Sequence, residues 1–235
     1  MDLITAAGLV KTVKDLGNCY ERLVKEFLAN IGTEFNYPMD AEYRQVFVRG
    51  RCINFTPCLI NQYLGRSTEE AAEIQVTDDE VRRTITRNQV KKWNKKQPIA
   101  ATKLTAKYAI LNKIAVVNWV PTTHTTSIAT GLGRFIYAVG TKTKFDFGTY
   151  FFNQTLLHAS SCALQLPIAF PTLLSEMILQ QQPDILIGAD VPCTRKGTLS
   201  LDPRLFEGSH AADIVGPSGN KSSDAKSKKQ MIADL

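Results

Sequence analysis

The 235-residue chain is poor in the side chains from which most metal sites and catalytic centres are built. It holds three histidines, His124, His158 and His210, which lie far apart. Its five cysteines are an odd number at wide, irregular spacing, and no Cys-x-x-Cys pair occurs among them. Such spacing is typical of reduced thiols rather than of a disulfide framework or a zinc site. We therefore expect no metal site and no cofactor.

Motifs of the common enzyme classes are also missing. His124 lies in a run of hydroxyl residues, but no nucleophile elbow or triad order accompanies it, and a helix-capping loop explains the run better. The carboxylates of residues 78–80 suit the first turn of a helix better than a metal site. Gly131-Leu132-Gly133 lacks the preceding strand and third glycine of a phosphate loop. The residues predict a protein without catalytic activity.

Signals for secretion or membrane insertion are weak. The first ten residues lack the basic start of a signal peptide, and Lys11 and Lys14 interrupt the apolar run that follows. The longest uncharged stretch, Phe147 to Ser175, contains amides, a histidine and two prolines, which favours buried helices over a bilayer span. We expect a protein of the cytoplasm or nucleus that is not secreted.

Hydrophobic periodicity predicts a mainly α-helical single domain over residues 1–182. The hydrophobic content of 44% is enough to build a core. Apolar residues at steps of three and four predict one amphipathic helix over 2–31, which Gly32 would end. β-branched and aromatic residues around Gly50 predict a small β-hairpin at 44–55. A helical core is expected over 103–182.

Two helix starts can be located from capping residues. Thr56 is a good N-cap, Pro57 suits the first helical position, and Gly65 would end that helix. Thr77 precedes an acidic first turn that complements a helix dipole. We therefore expect one helix to begin near residue 57 and another near residue 78.

The composition changes after Gln182. Gly, Pro, Ser, Lys and Asp dominate and the periodicity is lost, which predicts a flexible, disordered low-complexity tail over 183–235. Leu205 to His210 forms an apolar island within it. That island either docks on the domain or a partner, or has no function.

The positive charge is concentrated in one segment. The net charge is +6, yet nine basic residues and no acidic one lie between Arg82 and Lys107. Lysines neutralise phosphates and an indole can stack on an unpaired base, so this segment is a candidate nucleic-acid site. The alternatives are a solvated helix face and a nuclear-import signal. We call residues 82–96 the basic segment. Its candidate residues are Arg82, Arg83, Arg87, Lys91, Lys92, Trp93, Lys95 and Lys96.

Five short motifs occur in order along the chain. They are Val48-Arg49-Gly50-Arg51, Asn54-Phe55-Thr56-Pro57, Leu104 to Tyr108, Asn118 to His124, and Phe206 to His210. Together they resemble the plant transposon protein domain, whose members are often labelled envelope-like proteins of plant LTR retrotransposons. The resemblance runs from about Tyr20 to Val215. It implies a retroelement origin and brings no established activity, cofactor or catalytic residue.

These observations favour a non-enzymatic, retrotransposon-derived protein that assembles with itself or with other proteins. Sequence-independent nucleic-acid binding through the basic segment would accompany this role. One alternative is a degenerate element remnant without activity. Another is a fragment of an envelope-like surface protein, although the patterns of a signal peptide, a membrane anchor and paired cysteines are missing.

Overall fold

Helices make up most of the computed structural model, which describes residues 2–33, 35–40, 42–66, 76–93, 97–120, 126–160 and 168–193. The α-helices are α1 (Asp2–Ala6), α2 (Glu21–Ala29), α3 (Pro57–Leu64), α4 (Asp78–Thr86), α5 (Ala106–Ile114), α6 (Thr130–Thr141), α7 (Phe147–Ser160) and α8 (Pro171–Gln181). The strands are β1 (Gln45–Val48), β2 (Arg51–Asn54), β3 (Ile99–Ala100) and β4 (Ser127–Ile128). The predicted mainly α-helical fold with a small hairpin is confirmed.

The continuous helix predicted over 2–31 is wrong. The chain forms α1, a single 3₁₀ turn at Val10–Thr12 and then α2. Gly8 and Asp15 adopt left-handed backbone angles, with φ of 65° and 53°, which interrupt an α-helix. Contacts from distant residues hold the irregular segment, because the indole of Trp119 donates a hydrogen bond to the Thr12 hydroxyl at 2.7 Å and the Gly17 amide donates to Glu176.

The hairpin and the helix after it form where local signals placed them. β1 and β2 pair antiparallel, and the connecting residues Arg49 and Gly50 have φ of 54° and 72°. Two positive φ angles in a two-residue loop match the twist of the strands. The Thr56 hydroxyl then accepts a hydrogen bond from the Leu59 amide at 3.1 Å and caps α3, which ends at left-handed Gly65.

A second pair of strands connects the segments before and after α5. β3 and β4 pair antiparallel, with Ile99 opposite Ile128. Between them, α5 continues into a π-helical turn at Ala115–Trp119. The π turn contains one residue more than an α turn and so redirects the side chains that follow it. Trp119 is buried in the core as a result, 4.9 Å from the ring of Phe135.

A chain of aromatic rings runs through the core. The ring centroid of Phe55, directly after β2, lies 5.9 Å from that of Phe151 of α7. The Phe151 centroid lies 4.5 Å from that of Phe170, which precedes α8. Phe170 contacts Phe147 at 5.6 Å, and Phe147 contacts Phe135 of α6 at 5.7 Å. All five side chains are buried. The hairpin and the last three helices therefore share one core.

Helices α3 and α7 approach each other closely at Gly148. The Gly148 amide donates to the side-chain oxygen of buried Asn61 at 3.1 Å, and the Asn61 amide donates to Asp146 at 3.0 Å. A methyl group at position 148 would meet the Pro57 carbonyl and would lie 2.6 Å from the Asn61 amide nitrogen. Only glycine allows this approach.

The ordered structure extends beyond the boundary predicted at Gln182. Arg49 of the hairpin donates to the carboxylate of Asp190 at 2.5 and 2.9 Å and to Glu26 of α2 at 2.7 Å. The Asp190 side chain is fully inaccessible to solvent, and Ile185 is buried in the core. Residues 183–193 are therefore attached to the domain through Ile185, Asp190 and Cys193, although most of their side chains are exposed. The rest of the predicted tail, 194–235 with its apolar island, lies outside the described residues.

We predict that Gly148→Ala lowers the free energy of unfolding by about 1–3 kcal/mol, because the methyl group overpacks the α3–α7 contact. Gly131→Ala is the matched control, since a methyl group there meets nothing within 4 Å. The control should be neutral or stabilising by up to about 1 kcal/mol. Urea denaturation of both variants measures the difference, and equal stabilities would contradict the packing described.

The Arg49 ion pairs predict a stability that depends on pH. Hydrogen bonds from Arg49 lower the pKa of both Glu26 and Asp190 below the usual carboxyl values. Because the folded pKa values are lowered, their contribution is present at neutral pH and is lost as pH falls through the acidic range. Arg49→Met should lower the free energy of unfolding by about 2–4 kcal/mol at neutral pH. It should also flatten the decline of that free energy between about pH 5 and 3.

Arg51→Met is the control for this prediction. Arg51 lies beside the same turn, is exposed, and forms no ion pair with the described residues. Urea melts at several pH values compare the variants with the unmodified protein. Parallel pH profiles for the Arg49 variant and the unmodified protein would show that Arg49 does not hold these carboxylates.

Candidate nucleic-acid interface

The basic candidate residues lie on α4 and on the segment that follows it. The Thr77 hydroxyl accepts a hydrogen bond from the Glu80 amide at 3.2 Å and caps the acidic first turn of α4, as predicted. The helix ends where Arg87 and Asn88 adopt left-handed angles, with φ of 49° and 61°. Lys91, Lys92 and Trp93 therefore lie beyond the helix, in the segment leading to β3.

Arg82 is an interior residue rather than a surface one, with 3% of its area exposed. Its guanidinium donates to the Asp79 carboxylate at 2.7 and 2.9 Å and to the Val90 carbonyl. These bonds tie the segment after α4 back to the helix. Arg82 is thus unable to reach a phosphate, and its part in the candidate site is a supporting one.

Two other arginines on this face are paired with the acidic first turn of α4. Arg83 lies 2.8 Å from Asp79, and Arg134 of α6 lies 2.6 Å from Asp78. The hydrogen bond from Arg82 is the leading cause that lowers the pKa of Asp79. The basic segment is therefore less positive in the folded protein than its sequence suggests. The Asp79 carboxylate, one turn earlier in the same helix, pairs with some of its arginines and offsets part of their charge.

The remaining positive charge is concentrated after the helix. Arg87, Lys91 and Lys92 are exposed, and among the described residues neither lysine forms an ion pair. Lys95 and Lys96 lie outside the described residues. The described positive charge after the helix thus consists of Arg87 at the helix terminus and the exposed pair of lysines that follows.

Trp93 packs onto α6 through the benzene part of its ring. A methyl group at Gly133 would meet this ring and lie 2.9 Å from its Cζ2 atom. The Trp93 indole nitrogen is buried and has no hydrogen-bond partner within the described structure. A ring held against a helix backbone has less free surface on which a base could stack. Trp93 anchors the basic segment to the core.

The other chemically active side chains do not form a centre among the described residues. His158 of α7 is partly buried, and burial lowers its pKa. His124 and Cys162 lie outside the described residues. Within the described ranges, no three His, Cys, Asp or Glu side chains are grouped as metal ligands. No helix in that part of the chain has both the length and the apolar character that a bilayer crossing requires.

The motifs at 48–57 occupy structural positions. Arg49 holds residues 185–190 against the hairpin, Phe55 belongs to the aromatic core, and Thr56 caps α3. The Asn54 backbone exchanges two hydrogen bonds with the Gln181 side chain, at 2.9 and 3.0 Å. These residues preserve the fold, and none of them lines a reactive centre.

A family model described as "Putative plant retrotransposon-related domain" matches residues 6–184, most of the chain. The chain belongs to this family. The retrotransposon origin predicted from the motifs is thereby confirmed, whereas the envelope-like label stays a prediction. No curated protein and no solved structure matches the chain. The matched range of this plant retrotransposon-related domain includes the hairpin, the basic segment and α8.

We predict that Trp93→Ala destabilises the domain by about 2–3 kcal/mol, because it removes a large ring packed on α6. Tyr37→Ala is the comparison, since this ring is 56% exposed and its loss should cost less than about 0.5 kcal/mol. Chemical denaturation monitored by circular dichroism measures both. If Trp93→Ala were no more costly than Tyr37→Ala, the ring would be a free surface group after all.

Proposed function

We propose that this retrotransposon-related domain is a non-enzymatic binding protein that contacts nucleic-acid backbones through the exposed cations of its basic segment. The observation that carries the proposal is the exposure of Lys91 and Lys92, which have no ion-pair partner among the described residues. An ammonium group in that state releases counterions from a phosphate backbone without first breaking a salt bridge.

Arg83 would join the lysines at little cost. Its partner Asp79 has a side chain that is 53% exposed, and the Arg83 side chain is 64% exposed. Exposed pairs of this kind contribute about 0–1 kcal/mol, so a phosphate can replace the carboxylate. Arg82 and Trp93 would instead hold the segment in place. The proposed contact set is therefore Arg83, Arg87, Lys91 and Lys92, together with Lys95 and Lys96.

The proposed binding does not depend on base sequence. Lysines act as point charges on a flexible stem, and phosphate contacts carry no direct sequence information. The same cluster of cations would also serve as a nuclear-import signal. We accordingly propose a location in the cytoplasm or nucleus, where element nucleic acid is present.

Protein assembly is a second candidate function, favoured by a different surface. Tyr37, Met39 and Phe47 are 56%, 83% and 43% exposed. Phe47 points outward from β1. With Phe35 it lines an open surface cavity whose volume is about 420 Å³. Exposed apolar side chains beside a concavity are typical of protein contacts. Sedimentation velocity at increasing concentration tests self-association, and a monomer throughout would remove this form of the proposal.

Two further readings predict different behaviour in solution. A degenerate remnant would fold poorly or bind neither nucleic acid nor protein. An envelope-like fragment would require signal-sequence and anchor codons in the flanking DNA. A cooperative unfolding transition together with salt-dependent nucleic-acid binding supports the proposed function over both.

The decisive prediction concerns the exposed lysines. Lys91→Glu/Lys92→Glu should weaken binding to a labelled DNA duplex at least about tenfold at low salt. The slope of log K against log salt should fall by the amount expected for about two lost phosphate contacts. Lys14→Glu/Lys144→Glu is the matched control, because both lysines are exposed and the change in net charge is the same. Fluorescence anisotropy at two or more salt concentrations measures both variants.

At about 0.1–0.15 M salt, where charges more than about 10 Å away are screened, the control variant should bind within about twofold of the unmodified protein. An equal loss in both variants would show that net charge, rather than the basic segment, governs binding. Absence of binding by the unmodified protein at low salt would end the nucleic-acid proposal and leave assembly as the remaining candidate.

A further inference from the structure

Two cysteines from opposite ends of the described chain lie side by side. The amide of Cys193 donates a hydrogen bond to the carbonyl of Cys19 at 2.7 Å. Burial first, and then the neighbouring Cys193 thiol, raise the pKa of Cys19 to about 12. Cys19 lies two residues before α2, whose N-cap is Tyr20, and Cys193 is the last of the described residues.

The backbone geometry suits a covalent bond between them. Because the amide nitrogen and the carbonyl oxygen each lie close to their own Cα atom, a hydrogen bond of 2.7 Å leaves the two Cα atoms at most about 6.6 Å apart. Disulfides form when the Cα atoms are separated by about 4.4–6.8 Å and the side chains face each other. The influence of the Cys193 thiol on the pKa of Cys19 agrees with this backbone proximity. Oxidation would therefore require little movement of the chain.

The structure also keeps the two thiols close before any bond forms. Three residues before Cys193, Asp190 is fixed to Arg49 by two hydrogen bonds, at 2.5 and 2.9 Å. Ile185 is buried in the core at the other end of the same segment. Reactive groups held in place in this way couple within one molecule much faster than between molecules. Both cysteines are partly exposed, so a small oxidant can reach them.

We propose that Cys19 and Cys193 form a reversible, redox-sensitive disulfide that fastens residues 183–193 to the chain before α2. The proposal does not depend on nucleic-acid binding. It adds a modification site to a chain whose cysteine spacing, taken alone, suggested reduced thiols.

The oxidant is a peroxide, and the reaction proceeds in two steps. The Cys193 thiolate attacks one oxygen of hydrogen peroxide, the O–O bond breaks, and hydroxide takes up a proton to leave as water. The sulfur of Cys19 then attacks the resulting sulfenic acid. The S–S bond forms, the S–O bond breaks, and the hydroxide leaves with the Cys19 proton as a second water. The sum is two thiols and one peroxide giving one disulfide and two waters.

The assignment of the first step to Cys193 follows from the surroundings of Cys19. A thiol with a raised pKa stays protonated at neutral pH and is a poor nucleophile toward peroxide. Cys19 therefore reacts second, and its proton passes to the departing hydroxide of the adjacent sulfenic acid as its sulfur attacks. A thiol such as dithiothreitol reverses the modification by exchange.

The test uses the full chain, reduced and then treated with stoichiometric hydrogen peroxide. Intact mass should fall by two hydrogen atoms, and peptide mapping without reductant should recover a cross-linked peptide pair containing Cys19 and Cys193. The melting temperature should rise by about 5 °C or more, because the bond closes a loop that contains almost the whole domain. Dithiothreitol should reverse both changes.

Variants separate this pair from the other cysteines. Cys19→Ser and Cys193→Ser should each abolish the mass loss and the thermal shift. Cys52→Ser/Cys58→Ser should retain both, since Cys52 lies near Gln45 and Cys58 is exposed on α3. Because serine is nearly isosteric, circular dichroism of the reduced variants should match that of the unmodified protein.

The same variants distinguish the two roles. Cys19→Ser should accumulate a sulfenic acid at residue 193, which a dimedone probe labels, whereas Cys193→Ser should not react at residue 19. A cross-link that involves Cys52, Cys58 or Cys162 in the unmodified protein would overturn the proposal. So would an oxidised protein in which Cys19 and Cys193 both remain free thiols.

Discussion

The aromatic chain from Phe55 through Phe151, Phe170 and Phe147 to Phe135 is the contact on which the rest of the structure depends. It joins the end of the hairpin to α6, α7 and the start of α8, so segments far apart in sequence share one core. Aromatic pairs at these separations contribute about 0.5–1.5 kcal/mol beyond the area that they bury. Because these rings fix where α6 lies, they also fix the surface to which the basic segment is anchored.

Elements whose signals are local were predictable from the sequence. The start and end of α3 depend on Thr56, Pro57 and Gly65, and each acts within one turn of itself. The N-terminal region was not predictable in this way. Its periodicity suits a long helix, yet Trp119 and Glu176 bind Thr12 and Gly17 and stabilise an irregular path. Tertiary hydrogen bonds of this kind leave no trace in the spacing of nearby apolar residues.

The candidate site was predictable in position but not in composition. A run of basic residues locates the segment, but it does not show which side chains face the interior. Val81 and Ile85 define the buried face of α4. Arg82 lies next to Val81 and three residues before Ile85, so it falls on the same face. That spacing was a usable signal for its burial. The role of Trp93 depends on Gly133, forty residues later, and requires knowledge of how α6 packs.

The ion pairs of Arg49 bear on where this domain can be cut. The family match ends at residue 184, whereas Asp190 and Cys193 continue to contact the hairpin and the segment before α2. A gene fragment ending at the family boundary would encode a protein in which Arg49 keeps Glu26 as a partner but loses Asp190. The family match therefore ends about one short segment before the last contacts of the folded domain. A fragment made for recombinant expression should extend at least to Cys193.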